Sequence, residues 1–272
     1  MRRRPEAGRK PQVMDEIAPG VFVTTSPMYL TTTTIVVGAG GGCLVIDPAL
    51  SVAELASLGE WLTSRGLRPA VGWATHPHWD HVLWSTALGT SAPRYATAAA
   101  VAATARTRQE MIAQTEAEAP GHDAELLGRL QAVPGAGHHI PWDGPQAHVI
   151  AHDGHAPGHA AIWLPDTGIL VAADMVSDVE IPLLDLTSPD PFGGYRAGLD
   201  LLASLPGARL VVPGHGHVGD AAALRARVAM DFAYLDAAET GQDVTDPRLL
   251  GADAAWLRAE HARHLALARD RL

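Results

Sequence analysis

Three histidines and an aspartate fall within the six residues HPHWDH, from His76 to His81, in the longer stretch THPHWDHVLW that ends at Trp84. On a strand or extended turn, residues i and i+2 point the same way, so His76 and His78 can present two imidazoles to one cation. Asp80 and His81, one step along a tightening turn, can face a second position beside the first. A divalent metal takes about four ligands, so the cluster calls for further imidazoles and a carboxylate from elsewhere in the chain. Later segments offer them: His159 in HAPGHA, Asp174 in LVAADM and His215 in VVPGHG. Each sits where a strand-like run gives way to a loop, which is how distant segments converge on one end of a sheet.

The elements that must carry these residues are readable from periodicity. Apolar, β-branched runs bounded by glycines, GVFVTT (20–25), TTTTIVVG (31–38) and GCLVIDP (42–48), predict three successive strands. SVAELASLGEWLTSRG opens with Ser51 and Glu54 at capping-box spacing, carries Leu55, Leu58 and Leu62 at helical spacing and closes at Gly66, which predicts a helix. AVGWAT (70–75) is a short buried strand that delivers the chain into the histidine cluster. Residues 97–131, rich in alanine, predict helices broken at PGHD and covering one side of the site. From 147 onward, AHVIAHDG, AAIWLP and GILVAADM read as strands, YRAGLDLLASL as a helix, and RLVVPGHG as a strand entering a loop. Residues 220–240 and 252–272 predict two C-terminal helices, packed on their own sheet rather than forming a dimer seam. The domain reading is a disordered, basic leader over 1–13 and one domain over 14–272.

Composition narrows the function class. The 272 residues carry a net charge of -10 with a pI near 5.7, so the chain has no general attraction for nucleic-acid phosphates. No apolar run is long enough to span a bilayer. No apolar stretch follows the N-terminal arginines as a secretory signal would require. The single cysteine, Cys43, excludes an intrachain disulfide and reads as a small buried hydrophobe; a cytoplasmic location is expected. The expected partner is a small molecule, with neither nucleic acid nor membrane, and the oligomeric state is open.

Taken in order along 15–220, APGVFV, LVIDP with Asp47, THPHWDH, APGHA, LVAADM and VVPGHG resemble the metallo-β-lactamase-fold superfamily of metallohydrolases, in particular its glyoxalase II and lactonase-like branch. The resemblance implies an α/β (α+β) chain folded as an αββα sandwich of two mixed β-sheets with outer helices. It implies a dinuclear site for divalent metal ions, zinc first, with manganese or iron as alternatives. His76, His78 and His159 would take the first metal; Asp80, His81 and His215 the second; Asp174 would bridge them. Two such cations lower the pKa of a bridging water to about 7, which makes hydroxide the expected nucleophile. Asp80 takes part in proton handling. Asp47 braces the ligands from behind, and His155, four residues before His159, is a candidate for the same supporting role, with a solvated loop histidine the competing reading.

The chain also departs from the family pattern. VLWS follows His81 where a pair of glycines is common, so a bulkier loop reshapes the pocket. Asp174 separates the chain from the antibiotic-hydrolysing lactamases, which lack a bridging aspartate, and His78 from electron-transferring di-iron relatives, which carry a glutamate there. Trp79 and Trp84, Met28 and Tyr29, and Tyr195 at a helix start are candidate substrate-binding residues, with helix packing the competing role for Tyr195. Apolar side chains of this kind favour a hydrophobic acyl or ring substrate. The expected activity is metal-dependent hydrolysis of an ester, thioester or lactone. The competing readings are a mononuclear iron sulfur-dioxygenase, a β-lactam hydrolase and a non-catalytic zinc protein.

Overall fold

The computed structural model describes residues 13–251 and 254–271; apart from Val13, the leader expected over 1–13 lies outside the described residues. Strands β1 (Asp15–Ala18), β2 (Val21–Thr25), β3 (Thr32–Val37) and β4 (Gly42–Ile46) form an antiparallel meander. Helix α1 (Val52–Ser64) then crosses to β5 (Arg68–Trp73), parallel to β4, with β6 (Arg94–Ala96), helix α2 (Ala98–Glu118) and β7 (Gln131–Ala132) following. The second sheet holds β8 (His148–Ala151), β9 (Ala160–Leu164) and β10 (Ile169–Ala173) as antiparallel neighbours. Helix α3 (Pro191–Ala203) leads to β11 (Leu210–Pro213), parallel to β10, and β12 (Gly219–Asp220) closes the edge. Helices α4 (Ala221–Glu239) and α5 (Ala255–Arg271) complete the described chain.

The alternation of strand side chains makes the layers. Val21, Val23, Val36, Leu44, Ile46 and Val71 face the second sheet and pack on Val149, Ile162, Leu164, Val171 and Val212. The alternate residues Phe22, Ile35, Cys43 and Val45 face outward and are covered by Leu55, Leu58 and Leu62 of α1 and by Ala100 and Met111 of α2. On the far side, Trp163, Leu170 and Val211 are covered by Leu199 of α3, Leu235 of α4 and Leu265 of α5. Two mixed sheets between helices are the sandwich that the resemblance implied. No helix among the described residues is long and apolar enough to cross a membrane.

One expected element is absent. After α2 ends, residues 120–130 turn instead of continuing as helix. Arginine side chains capture the carbonyls that a helix would use: Arg94 Nη1 donates to Leu126 O at 2.6 Å and Arg108 Nε to Leu127 O at 2.9 Å. Gly128 N donates to Val82 O at 3.0 Å, so this turn braces the loop that follows the histidine cluster.

The parallel pairs β4/β5 and β10/β11 bring four C-terminal strand ends to one side, and the loops leaving them carry the polar cluster. The sheets are stitched together there, with Ala160 N donating to Thr75 O at 2.9 Å and Thr32 N to Gly214 O at 2.8 Å.

Candidate metal centre

Asp47 follows β4 in a left-handed backbone conformation (φ 48°) and turns its carboxylate towards the end of β5. Its Oδ1 accepts from Thr75 N at 2.8 Å; its Oδ2 accepts from Thr75 Oγ1 at 2.5 Å and His81 Nδ1 at 2.8 Å. Thr75 has spent its one hydroxyl proton on Asp47, so it accepts from His76 Nδ1, 3.0 Å away. Both histidines are thereby fixed with Nδ1 protonated and the Nε2 lone pair turned inward. Asp47→Asn sets an amide N–H against these donors. The substitution is expected to weaken cation binding about 10–100-fold, as measured by competition with a chromogenic chelator.

The same logic orients two more rings. His215 Nδ1 donates to Tyr29 O at 3.0 Å, and His155 Nδ1 donates to Leu183 O at 2.7 Å. His155 Nε2 lies 3.0 Å from His78 Nδ1 and 3.5 Å from Asp174 Oδ2, while His81 Nε2 and His215 Nε2 are 3.3 Å apart. Gly214 lets the His215 loop pass close to Asp174, whose carboxylate a Cβ at that position would overlap. Three overlapping groups of ligand-capable atoms result, each within 4.8 Å: His76, His78, His155 and Asp174; Asp80, His81 and His215; Asp174, Glu180 and His215.

The sequence reading placed His159 at the first cation and His155 behind it; the structure gathers His155 with His76, His78 and Asp174, and buries His159 Nε2 without a hydrogen-bond partner among the described residues. His155 stays in the loop after β8 and reaches the cluster, whereas His159 directly precedes β9. The ring of His159 stands between His76 and His152, with centroids 5.1 and 4.6 Å away, and its Nδ1 is 3.2 Å from His152 Nε2. The intervening Gly158 (φ 70°) has no room for a Cβ against Thr97 and Ala100, and Thr97 Oγ1 donates to Gly158 O at 2.6 Å. The Thr97 hydroxyl at the start of α2 thus holds the turn that joins the two histidines.

The donor set fits divalent cations. His76 Nε2, His159 Nε2 and Asp174 Oδ1 are buried with no hydrogen-bond partner among the described residues, and the facing Nε2 lone pairs of His81 and His215 repel unless a positive charge sits beside them. The protonation equilibria express the same need. Burial pushes His81 down, yet Asp174, Asp80 and Asp47 outweigh it and hold it well above the usual imidazole range. His215 is likewise raised against its burial, by Glu180 and Asp174. Burial opposes ionisation of Asp80 and Asp174, but His81 and His215 keep both carboxyls below the ordinary carboxylate range.

Above the cluster opens a cavity of about 880 Å³. His78, Asp80, His155, Asp174 and His215 line its floor, Tyr29, Trp79, Met111, Leu183, Leu186 and Trp256 its apolar walls, and Arg106, Glu110, Glu260 and Arg263 lie further along its lining. Tyr29 and Trp79 meet edge to face at 6.2 Å. The other expected substrate contacts are elsewhere. Trp84 packs over Gly72, with its Nε1 donating to Gly89 O at 2.7 Å, so the bulk of VLWS enters the core. Met28 packs on the α1/α2 layer without lining the cavity, and Tyr195 is buried beneath α3 among Phe192, Leu199 and Leu202. Sequence reasoning missed Glu180, which has no spacing signal, and the contribution of α5 to the cavity wall.

With fold and cluster in view, comparison with known proteins is direct. The family model of the metallo-beta-lactamase superfamily matches residues 29–215, and the chain belongs to that superfamily. No curated protein matches it. Among solved structures it is similar to a beta-lactamase domain protein from Burkholderia ambifaria (18% identity, 96% of this chain and 88% of that one, TM-score 0.69). It is also similar to a metallo-beta-lactamase family protein from Thermus thermophilus (25% identity, 94% and 95% of the two chains, TM-score 0.69). A third structure, described as a di-iron-bound form, shares the fold at 24% identity over 76% of this chain and 98% of that one, with a TM-score of 0.58. Membership of this superfamily and the His/Asp clusters together indicate a metal-dependent hydrolase.

Proposed function

We propose that the chain is a dinuclear metal hydrolase that cleaves an ester, thioester or lactone of a small, apolar substrate. The observation that carries this reading is Asp174, whose carboxylate belongs both to the group with His76, His78 and His155 and to the group with His215. In this reading His76, His78 and His155 hold one cation, Asp80, His81 and His215 hold the other, and Asp174 is shared; zinc is the first expectation for both. When bound, such a pair supplies an acidified water as nucleophile and polarises the scissile carbonyl.

The chain's own residues supply the rest. Asp80 lies on the cavity floor with Oδ2 3.3 Å from His215 Nε2, where its carboxylate can receive the proton released on attack. Trp79 and Tyr29 form an apolar wall against which an acyl chain or ring can lie and exclude water. A lone buried cysteine agrees with the reducing cytoplasm as the place of action.

The test is a panel of esters, thioesters and lactones assayed with metal-loaded and chelator-stripped protein. Hydrolysis confined to the loaded form supports the proposal, and no turnover of any of the three classes contradicts it. Within that panel, Trp79→Ala is expected to raise KM about tenfold for long-chain acyl substrates and no more than about twofold for acetyl ones, since shorter chains bury less area on the indole. Equal changes for both would remove Trp79 from the substrate wall.

A further inference from the structure

Beneath the cavity, a chain of hydrogen bonds runs from the C-terminal helices to His155. Tyr234 of α4 has its hydroxyl 2.8 Å from His264 Nδ1 and 3.0 Å from His261 Nδ1, both on α5. Leu184 N donates to His264 Nε2 at 3.5 Å, and His155 Nδ1 donates to Leu183 O at 2.7 Å. Leu183 O and Leu184 N are the two ends of one peptide unit. That single peptide therefore lies between His264 and His155.

The donors and acceptors have one consistent arrangement. Leu184 N is a donor, so His264 Nε2 accepts and its ring proton sits on Nδ1, from which it goes to Tyr234 Oη. Tyr234 then donates its own proton to His261 Nδ1, which leaves His261 Nε2–H facing Asp243 Oδ1 at 3.3 Å. Every polar atom along the chain is matched, and consecutive bonds of this kind polarise one another. Burial, with His261 and Arg263 adding to it, holds His264 down at about 3, so it stays neutral across the physiological range.

We propose that Tyr234 and His264 are positioning residues for His155, acting through the Leu183–Leu184 peptide to fix the tautomer and direction of that imidazole in the cluster. The proposal rests on the reading of His155 as a cation ligand. An N–H at Leu184 engaged by His264 leaves the Leu183 carbonyl a stronger acceptor, so His155 Nδ1 keeps its proton and Nε2 keeps its lone pair turned towards Asp174 and His78. The same peptide belongs to the cavity wall, since Leu183 and Leu184 both line it.

The test measures cation stoichiometry and affinity for zinc, by chelator competition, on the full chain and three variants. His264→Leu removes the acceptor for Leu184 N and is expected to weaken one of the two cations about 10–100-fold while the other is unchanged. His264→Gln places an amide oxygen where Nε2 stood and is expected to restore affinity to within about threefold, since an amide carbonyl accepts as the imidazole nitrogen did. Leu265→Ala, a core truncation on the same helix, is expected to lower Tm without changing affinity. Unchanged affinity in His264→Leu overturns the positioning role while leaving the hydrolase reading intact. So does a loss in Leu265→Ala equal to that in His264→Leu, because the effect would then follow stability. A wild-type chain that binds no cation overturns both readings together.

Discussion

Asp174→Asn is expected to cost the protein one bound cation and about 10²–10⁴-fold in kcat/KM, the equivalent of several kcal/mol of transition-state stabilisation at about 1.4 kcal/mol per tenfold. Its carboxylate reaches four imidazoles of the cluster. Its Oδ1 lies 3.2 Å from His81 Nε2, and its Oδ2 lies 3.5 Å from His76 Nε2, 3.5 Å from His155 Nε2 and 3.4 Å from His215 Nε2. Asparagine keeps the shape but removes the charge, and its N–H groups can bond the very imidazole lone pairs that a cation needs. The variant should therefore fold and lose metal, a combination that elemental mass spectrometry and steady-state kinetics on the same preparation resolve. Two cations retained with activity within tenfold of wild type would show that Asp174 is not shared.

Arg248→Leu carries the largest expected effect on stability, about 3–5 kcal/mol. The guanidinium, 2% exposed, reaches Asp231 at 2.6 Å and Asp246 at 2.8 Å, and it also donates to Ser177 O at 3.2 Å and Glu180 O at 2.8 Å. One side chain thus ties α4 to the loop that follows Asp174 and neutralises two buried carboxylates. Its removal leaves those carboxylates uncompensated and should lower Tm by roughly 6–20 °C at about 2–4 °C per kcal/mol for a chain of this size.

The pH dependence has a definite sign. Burial lifts the Asp231 carboxyl from 3.8 to about 6, against the pull of Arg248. The folded state then binds a proton that the unfolded state has released, so this contribution is full below about pH 4 and lost as the pH rises through about 6. Without Arg248 the carboxyl rises further, and the variant's deficit should shrink towards acid pH. A loss of unfolding free energy, from urea titration, of less than about 1 kcal/mol at pH 7, or a deficit that grows towards acid pH, would contradict this role for the guanidinium.

What the sequence disclosed, and what it withheld, follows from the range of the forces involved. Continuous apolar, β-branched runs in GVFVTT and GCLVID announce strands with two covered faces, and Ser51 with Glu54 marks a helix start, because these signals are local. In the structure that capping box is present, with Ser51 N donating to Glu54 Oε2 at 2.9 Å. HPHWDH announces a metal cluster because costly polar groups are concentrated within one turn. Which of His155 and His159 joins the group with His76, His78 and Asp174 was illegible, since it is a matter of tertiary placement: the turn between them is held by Thr97, about sixty positions away. Trp84 was a candidate pocket residue because it flanks HPHWDH, and Met28 and Tyr195 were candidates through the resemblance; none of the three lines the cavity. Helix α5 reaches the cavity through Trp256, Glu260 and Arg263 by tertiary packing, for which its own periodicity gives no cue.

The most direct test of the central claim is the number of metal ions per chain, by elemental mass spectrometry on protein purified without added metal and without affinity histidines. The proposed dinuclear hydrolase predicts about two divalent ions per chain, chiefly zinc, with one lost in Asp174→Asn. A single iron per chain in the wild type would contradict it and would direct attention to oxygen-dependent chemistry at the same residues.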